Sequence, residues 1–461
     1  MSKKNQRRRR NKNRASKSQH AINPITNPNA AGIDIGAEEF VVAVPCGRDE
    51  QATVRTFSSF TFGVKGMRDW LLECGVKTVA LESRGNYWIA AYDLLEQAGM
   101  EVFLVNARHV KGVSGKKTDV CDAQWLQQLH AAGLLKKSFR PPQDIVSMRY
   151  LMRHRQELLS DASRQIQLMQ KVLTEMNLKI QHVFSDLDGV SAQAIIDAIL
   201  VGERDPEKLA TLRDPRCRSP HATIVEALRG TYREEYLFVL AQSQSAWRQL
   251  RQAISACDER LKLLASSVTG VSDAPLPSAP PAQHRSSKNT PQMDLFEQSF
   301  RFYGVDLSTI PGVSAGVISV LISEIGTREH LLASFRSPEA FCSWMGLCPD
   351  NRVSGGKVLK AKTRKVPNRL AKALRLGAFG LNHTTNRMGE YCRRMKGRLG
   401  KAEGLVAGAH KMARLIYGMI KSQTPYDEAT AFNITPANLQ RRRQSVEKQA
   451  AALGLQLVPI V

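Results

Sequence analysis

Residues 31–45 read AGIDIGAEEFVVAVP, and this stretch decides the fold that we predict for the N-terminal part of the chain. Two short β-rich runs, Ile33–Ile35 and Phe40–Val44, are joined by Gly36 and a small acidic loop, which predicts two strands. Asp34 lies inside the first run, between two isoleucines. A carboxylate in an apolar strand is costly unless another group pairs with it. Asp34 is therefore a candidate for chemistry, although the residue alone could equally cap a turn at the end of a strand.

The pattern beyond this stretch is that of a mixed α/β domain. Six further elements are predicted, namely a strand near Ala52–Phe57, a helix over Val64–Cys74, a strand over Thr78–Leu81 ending in Glu82, a helix over Tyr87–Ala98, a strand over Val102–Val105 and a helix from about Asp119. Three strands followed by alternating helices and strands is the order of an RNase H-like domain.

Four carboxylates stand at strand and helix positions of this predicted domain. Asp119 and Asp122 are spaced i, i+3 and share one face of a helix. The first and fourth strands of an RNase H-like sheet are parallel neighbours, so Asp34 and Glu82 are expected side by side. Four carboxylates this close would repel one another unless cations lie among them. Hard oxygen ligands suit Mg²⁺, with Mn²⁺ as an alternative, and two such ions about 4 Å apart can clamp a phosphodiester. The alternative for Asp119 is a simple N-cap.

The charge of the chain favours a polyanionic partner. The 461 residues carry a net charge of +24. Nucleic acid is favoured over a membrane because no apolar run approaches the length that spans a bilayer. Residues 1–28 contain nine Lys or Arg and no Asp or Glu, which predicts a disordered basic arm and leaves about +15 on the rest. The N-terminus lacks the apolar region of a signal peptide, and the eight scattered cysteines are expected to be reduced in a cytoplasmic protein.

The middle of the chain contains two long heptad stripes. One runs over residues 145–180 and includes Arg155, and the second runs from about Tyr232 to Leu264 and includes Cys257. These stripes predict coiled-coil packing within the chain, between chains, or both, and an ordinary helical hairpin is the alternative. Ser266–Gln292 is a low-complexity segment typical of a linker.

Motifs along most of the chain resemble one protein family. Six motifs occur in order over roughly residues 30–425, namely GIDIG, LESRGNYW, KTDVCDA, EALRGTYREEYLFVL, IPGVSAGVISVLISEIG and SWMGLCPDNRVSGGK. Together they resemble the DEDD transposases of the IS110/IS1111 type. The resemblance implies a RuvC-like domain whose acidic tetrad is Asp34, Glu82, Asp119 and Asp122, and a C-terminal domain with a catalytic serine at Ser354. The chain departs from the family pattern at the basic arm and at Pro367-Asn368, where some members have Gly-Asn.

The domains expected on this basis fall into six segments. They are a basic arm at 1–28, a RuvC-like DEDD domain at 29–143, a coiled-coil or helical domain at 144–265, a linker at 266–303, a C-terminal transposase domain at 304–425 and a basic extension at 426–461.

Ser354 lies in a glycine-rich turn, RVSGGK, that is followed by a run of cations. Glycines let a backbone approach a phosphate closely, although Ser-Gly-Gly is also common in plain flexible turns. The residues expected to bind nucleic acid are Lys116, Lys117, Arg352, Gly355, Gly356, Lys357, Lys360, Lys362, Arg364 and Arg369. No His–Asp pair is evident near Ser354, so we expect the metals of the RuvC-like domain to activate its hydroxyl for attack on a DNA phosphate.

Thr309–Gly326 resembles half of a helix-hairpin-helix, with a Pro-Gly-Val turn that would present backbone N–H groups to a phosphate. A plain helical hairpin packed in the core is the alternative.

The function that follows is that of an insertion-sequence transposase, a site-specific DNA recombinase that acts through a metal-bound carboxylate site and a serine nucleophile. The resemblance implies donor and target DNA and a structured bridge RNA as partners, and strand exchange suggests a homodimer that assembles into a tetramer. We expect a prokaryotic, nucleoid-associated protein of the cytoplasm.

The main alternative is a RuvC-like nuclease of the junction-resolving type, which uses water and forms no covalent intermediate. An actin-like ATPase fits poorly because a second phosphate loop is not found, and a non-catalytic binding protein leaves the acidic residues unexplained.

Overall fold

The structure is a computed structural model that describes residues 25–83, 85–106, 119–272, 288–360, 362–432 and 436–456. The chain divides between Arg140 and Pro141 into two compact units, each described by itself below. None of the helices in the described part of the chain is long and apolar enough to cross a membrane.

The N-terminal unit contains a five-stranded sheet. Its strands are β1 (Ala30–Ile35), β2 (Glu39–Ala43), β3 (Val54–Ser58), β4 (Thr78–Glu82) and β5 (Glu101–Val105). Their order across the sheet is β3-β2-β1-β4-β5. β2 is antiparallel to both β1 and β3, whereas β4 is parallel to both β1 and β5. This arrangement agrees with the RNase H-like order predicted from the sequence, including the parallel pairing of the first and fourth strands.

Three helices cover the two faces of this sheet. They are α1 (Thr61–Glu73), α2 (Trp88–Gln97) and α3 (Asp119–Ala131). Strand residues alternate between faces, so Ile33 and Leu81 pack in one core cluster with residues of α1 and α2 such as Leu71. Ala80 points to the opposite face and clusters with Leu126 of α3.

The predicted basic arm differs from the structure at its C-terminal end. Residues 1–24 lie outside the described residues. Thr26 and Asn27 both donate backbone hydrogen bonds to the Ala131 carbonyl, at 2.8 and 2.9 Å. These bonds satisfy a carbonyl at the end of α3 that has no partner within its own helix, so Thr26 and Asn27 pack on the N-terminal unit although they precede the predicted position 29.

The C-terminal unit is helical except for one hairpin in its described part. Its α-helices are α4 (Gln143–Glu175), α5 (Ile180–Val183), α6 (Val190–Leu200), α7 (Pro206–Thr211), α8 (His221–Ala227), α9 (Glu234–Ser267), α10 (Leu295–Tyr303), α11 (Ala315–Ile325), α12 (Arg328–Ser334), α13 (Pro338–Trp344), α14 (Arg369–Gly380), α15 (Arg387–Leu399), α16 (Lys401–Ser422), α17 (Glu428–Ala431) and α18 (Pro436–Ala452). The hairpin strands are β6 (Arg352–Ser354) and β7 (Lys357–Lys360), and short 3-10 turns cover Leu307–Thr309 and Leu381–His383.

The two long predicted helices pack against each other within the chain as α4 and α9. Leu159 clusters with Ile254, and Met169 further along α4 clusters with Leu240 earlier in α9, so the helices run antiparallel. The first helix ends at Glu175 instead of 180, because Asn177 adopts a positive φ of 56° that ends the helical turn. The structure contains the intrachain helix pair; coiled-coil packing, within the chain or between chains, stays a prediction.

A buried ion pair lies in the seam between α4 and α9. The Arg155 guanidinium donates to both Asp258 oxygens, at 2.5 and 3.1 Å, and also to the Asn289 carbonyl at 2.8 Å. The sequence predicted Cys257 in this seam, but Asp258 takes the buried position and Cys257 is half-exposed. The charge on Arg155 explains the difference, since a buried guanidinium requires a carboxylate partner.

The predicted linker at 266–303 differs from the structure at both ends. Helix α9 continues to Ser267, and α10 covers Leu295–Tyr303, while residues 273–287 lie outside the described part. The Asp294 side chain accepts hydrogen bonds from the first turn of α10, and Phe302 and Tyr303 are fully buried. This short helix begins just after the low-complexity segment Ser266–Gln292, and an N-cap and an apolar face stabilise it.

A second ionic contact joins α4 to the helices that follow the linker. Glu324 of α11 is buried and accepts two hydrogen bonds from Arg153, at 3.0 and 2.8 Å. Arg149 lies 3.2 Å from the same carboxylate and also donates to the Glu324 carbonyl. These contacts fix one end of α4 against α11.

Removal of the Asp258 carboxylate tests the buried pair. We expect Asp258→Ala to lower the free energy of unfolding by about 3–5 kcal/mol, because Arg155 is left buried and unpaired. The double variant Arg155→Met/Asp258→Leu should recover most of this loss. Urea unfolding followed by circular dichroism measures the free energy of unfolding of both variants. The matched control is Glu226→Ala, which breaks an exposed ion pair with Arg229. Equal effects of Asp258→Ala and Glu226→Ala would contradict the assignment.

Candidate active site

Asp34 and Glu82 lie next to each other at the carboxyl ends of adjacent parallel strands. The register pairs Gly32 with Ala80 and Ile33 with Leu81, and each acidic residue comes one position later. Both acidic residues are half-buried. Because successive residues alternate between faces, both carboxylates lie on the face of the sheet that α3 covers.

Helix α3 approaches this face unusually closely at Gly32. A Cβ atom at Gly32 would lie 2.4 Å from the Ala123 carbonyl oxygen and 2.3 Å from the Gln127 nitrogen. The Gln127 side-chain amide also donates to the Ala30 carbonyl, at 3.1 Å. Only glycine leaves room for this contact between a helix backbone and a strand.

The direction of α3 brings its first turn to the same edge as the two carboxylates. At the other end of the helix, His130 Nε2 lies 2.8 Å from the Thr78 hydroxyl, at the start of β4. The Thr78 hydroxyl donates to the Glu101 carbonyl at 3.0 Å, so it accepts from a neutral His130. Burial lowers the pKa of His130 to about 4, which keeps it neutral near pH 7. The helix therefore runs from the carboxyl edge, at Asp119 and Asp122, towards the opposite edge.

The donor set at this edge suits a hard divalent cation. Asp122 is exposed, and Asp119 is the first residue of α3, although its side chain lies outside the described part. Among the described residues, no three His, Cys, Asp or Glu side chains are close enough to hold a metal ion. The residue types nevertheless fit, because carboxylate oxygens are the ligands that a hard divalent cation prefers, and Asp34 and Glu82 end adjacent strands.

Ser354 lies at the tip of the β6–β7 hairpin. It pairs with Lys357 across a two-residue turn in which Gly355 and Gly356 have positive φ values of 54° and 76°. Two consecutive positive φ angles are the signature of a type I′ turn, which glycine adopts without strain. Ser354 is exposed, and no described residue hydrogen-bonds to its hydroxyl. The hydroxyl is therefore accessible and lacks a general base within the described part of its own unit.

The predicted cations differ in their surroundings. Lys357, Lys362 and Arg369 are exposed, whereas Arg364 donates to the Ser343 carbonyl at 2.6 Å and to its hydroxyl at 3.1 Å. Arg364 therefore braces the base of the hairpin. The side chains of Arg352 and Lys360, and the whole of Lys116 and Lys117, lie outside the described residues.

Asn368, which follows the departure from the family pattern at Pro367, has a local structural role. The Asn368 side chain accepts a hydrogen bond from the Ala371 backbone nitrogen at 2.9 Å and so caps α14. Asparagine is a preferred N-cap. This cap sets the start of the helix that carries Arg369.

A cleft of about 770 Å³ lies beside α11 and α14. Its lining includes Gly312 of the Pro-Gly-Val turn, together with Arg369 and Lys372 of α14. Gly312 has a φ of 88°, and a Cβ atom at Gly377 would lie 2.5 Å from the Gly312 carbonyl oxygen. The turn thus packs tightly on α14 while one side faces the cleft; its binding of a nucleic acid backbone stays a prediction.

Sequence reasoning missed the role of Gly32. A glycine inside an apolar strand is the signal that could have revealed it, since such a residue often marks the close approach of another backbone.

A mixed sheet of this order, with acidic residues at the carboxyl ends of β1 and β4, is the arrangement of RNase H-like enzymes, which cut and join nucleic acid strands. Residues 31–178 match the family model of DEDD transposases of IS110 elements, and residues 306–393 match that of the transposase IS116/IS110/IS902 family. The two matches together cover just over half of the 461 residues, and the chain belongs to the IS110 family of DEDD transposases. A comparison with curated proteins gave no match.

This membership confirms the resemblance that the sequence motifs indicated. The protein is a DNA transposase, its substrates are DNA, and its family depends on a divalent metal ion.

We call the edge of the sheet at which Asp34 and Glu82 lie the acidic edge. Substitution of Gly32 tests whether the acidic edge depends on the contact between α3 and β1. We expect Gly32→Ala to push α3 away from β1 and to reduce DNA strand cutting by about 100-fold, the cost of misplacing catalytic groups by about 1 Å. Gly66→Ala is the matched control, since Gly66 lies in α1 and a Cβ atom there would meet nothing within 4 Å. Cutting of DNA by both purified variants measures the effect, and full activity of Gly32→Ala would rule out this dependence.

Proposed function

We propose that this transposase is a bridge-RNA-guided, site-specific recombinase with a composite active site of metal-binding carboxylates and the Ser354 nucleophile. The observation that carries the proposal is the shared edge of Asp34, Glu82 and the first turn of α3, in a chain that belongs to a DNA transposase family. The exposed position of Ser354 on a glycine turn supports the second half of the site.

The four carboxylates have one role in this proposal. They hold Mg²⁺, as two ions in the simplest case, with Mn²⁺ as an alternative metal. The four residues are Asp34, Glu82, Asp119 and Asp122. When bound there, the metal would polarise the phosphate and stabilise the negative charge on the attacking and leaving oxygens. The rigid attachment of α3 to β1 at Gly32 keeps the helix carboxylates aligned with those of the strands.

Ser354 performs the covalent step. Its Oγ forms a bond to the DNA phosphorus while the bond from phosphorus to a deoxyribose oxygen breaks, and the serine proton is transferred overall to that leaving oxygen. The product is a phosphoserine ester and a free DNA hydroxyl. Attack of another DNA hydroxyl on the ester reverses these changes and rejoins a strand without ATP, because the ester conserves the energy of the phosphodiester bond.

Basic residues around the hairpin hold the nucleic acid. Lys357 on β7 is exposed, as are Lys362 after the hairpin and Arg369 at the start of α14, and these cations neutralise phosphates together with the remaining predicted ones. Strand exchange cuts two strands on each of two duplexes, so the proposal includes a homodimer that assembles into a tetramer on DNA.

A RuvC-like nuclease that uses water is the weaker alternative. The second family match spans residues 306–393 and includes the Ser354 hairpin, a region that hydrolysis at the acidic edge does not require.

Replacement of Ser354 tests the nucleophile. The full chain, purified with its RNA and incubated with Mg²⁺ and DNA carrying the ends of its element, should form a covalent protein–DNA adduct that denaturing gels detect. We expect Ser354→Ala to lose the adduct completely, whereas Ser445→Ala, at an exposed serine of α18, should retain it. An adduct with Ser354→Ala would refute the serine assignment, and cut DNA without any adduct would favour the nuclease.

The guide RNA is tested independently of the chemistry. Sequencing of RNA that co-purifies with the full chain should recover one structured species encoded by the element itself. Lys357→Ala/Lys362→Ala, which removes two exposed cations, should weaken nucleic acid binding and flatten its salt dependence. Recovery of only heterogeneous cellular RNA would eliminate guidance and leave the metal site unaffected.

A further inference from the structure

Two phenylalanines with exposed side chains stack on each other at the end of β3. Phe60 is 71% exposed and Phe62 is 74% exposed. Their ring centroids are 6.3 Å apart and the ring planes differ by only 16°. Their neighbours along the chain, Ser59 and Thr61, are polar, and we call the two rings the aromatic platform.

The backbone under the aromatic platform is held firmly. The Phe60 nitrogen donates to the Ser58 hydroxyl at 3.3 Å, and the Ser59 nitrogen donates to the Glu38 carbonyl at 2.8 Å. A Cβ atom at Gly63 would lie 2.2 Å from the Ser58 carbonyl oxygen, so the first turn of α1 folds tightly onto the end of β3. The two rings therefore point to solvent because of a defined turn and not because of a loose loop.

The aromatic platform lies at the same edge of the sheet as Asp34 and Glu82. β3 and β1 are both antiparallel to β2, so they run in the same direction, and β4 is parallel to β1. The carboxyl ends of β1, β3 and β4 thus share one edge. In the register, Asp34 is level with Val41 and Val41 with Thr56, so Phe60 lies two strand spacings across the sheet and four residues beyond that level, roughly 15 Å from Asp34.

The area of the aromatic platform is too small for a stable contact between protein copies. Two phenylalanine side chains bury about 300–500 Å² at most, whereas a specific protein interface buries about 800 Å² on each partner. A nucleobase matches the size and the flat shape of such a surface, since every base has a π-face that stacks on an aromatic ring. Lys65, which is exposed one turn after Phe62, supplies a cation for the adjoining phosphate.

We propose that Phe60 and Phe62 stack on an unpaired base of the DNA strand that enters the acidic edge, and so position that strand for cutting. This inference rests on the proposed function of the edge. Stacking on the two rings holds this unpaired base outside the duplex, while the carboxylates of the acidic edge face the phosphate backbone of the same strand. The two phenylalanines are positioning residues and do not take part in the chemical step.

The test measures DNA binding in EDTA, so that its outcome is separate from metal-dependent cutting and from the Ser354 adduct. The full chain and the double variant Phe60→Leu/Phe62→Leu, which keeps an apolar surface but removes the rings, are compared by fluorescence anisotropy. The probes are a fully paired DNA duplex and the same duplex with a single-stranded extension that contains 2-aminopurine. Leu72→Ala, at an exposed apolar residue near the other end of α1, is the matched control.

We expect the double variant to bind the duplex with the single-stranded extension at least about tenfold more weakly, because the stacking of one base is lost. The quenching of 2-aminopurine fluorescence should be lost as well. Its affinity for the paired duplex and its circular dichroism should match those of the control. Unchanged affinity for the extended DNA would overturn the proposal. A change in molar mass by light scattering without a change in DNA affinity would assign the platform to a second copy, and a loss seen only with a single-stranded RNA probe would assign it to the RNA.

Discussion

The acidic edge depends on one steric constraint, the absence of a side chain at Gly32. The backbone of α3 lies within van der Waals contact of β1 at this position, and any Cβ atom there would overlap the Ala123 carbonyl and the Gln127 nitrogen. Hydrogen bonds at the other end of the helix, through His130 and Ala131, fix its direction. Together these contacts hold the first turn of α3 at the edge where β1 and β4 end.

A different principle holds the C-terminal unit together. Its long helices α4 and α9 bury an ion pair between Arg155 and Asp258, and α4 carries two further arginines onto the buried Glu324 of α11. Buried charges add little net stability, but each fixes one arrangement, since a shift along the helix would leave a charge unpaired. The register of the helix pair and its attachment to α11 are specified in this way.

The two halves of the proposed active site belong to different units of the chain. Asp34, Glu82 and α3 belong to the unit that ends at Arg140, and Ser354 belongs to the unit that follows. The serine lies on an exposed glycine turn without a hydrogen-bond partner among the described residues. A serine hydroxyl is a weak nucleophile until another group activates it. Activation in the proposed mechanism therefore requires the acidic edge, which makes assembly of the two units on DNA the natural point of control.

The sequence by itself determined the strand order, the strand-end positions of Asp34 and Glu82, and the family, because periodicity, strand-end acids and ordered motifs are local properties of the chain. Only the tertiary structure decided which residues meet across long separations. Asp258 replaces Cys257 in the helix seam because Arg155 faces it, and a helix at Leu295–Tyr303 occupies part of the predicted linker because its aromatic residues find a core. The close approach at Gly32 and the stacked, exposed Phe60 and Phe62 likewise arise from packing between segments, although a glycine inside an apolar strand is a local signal for the first of them.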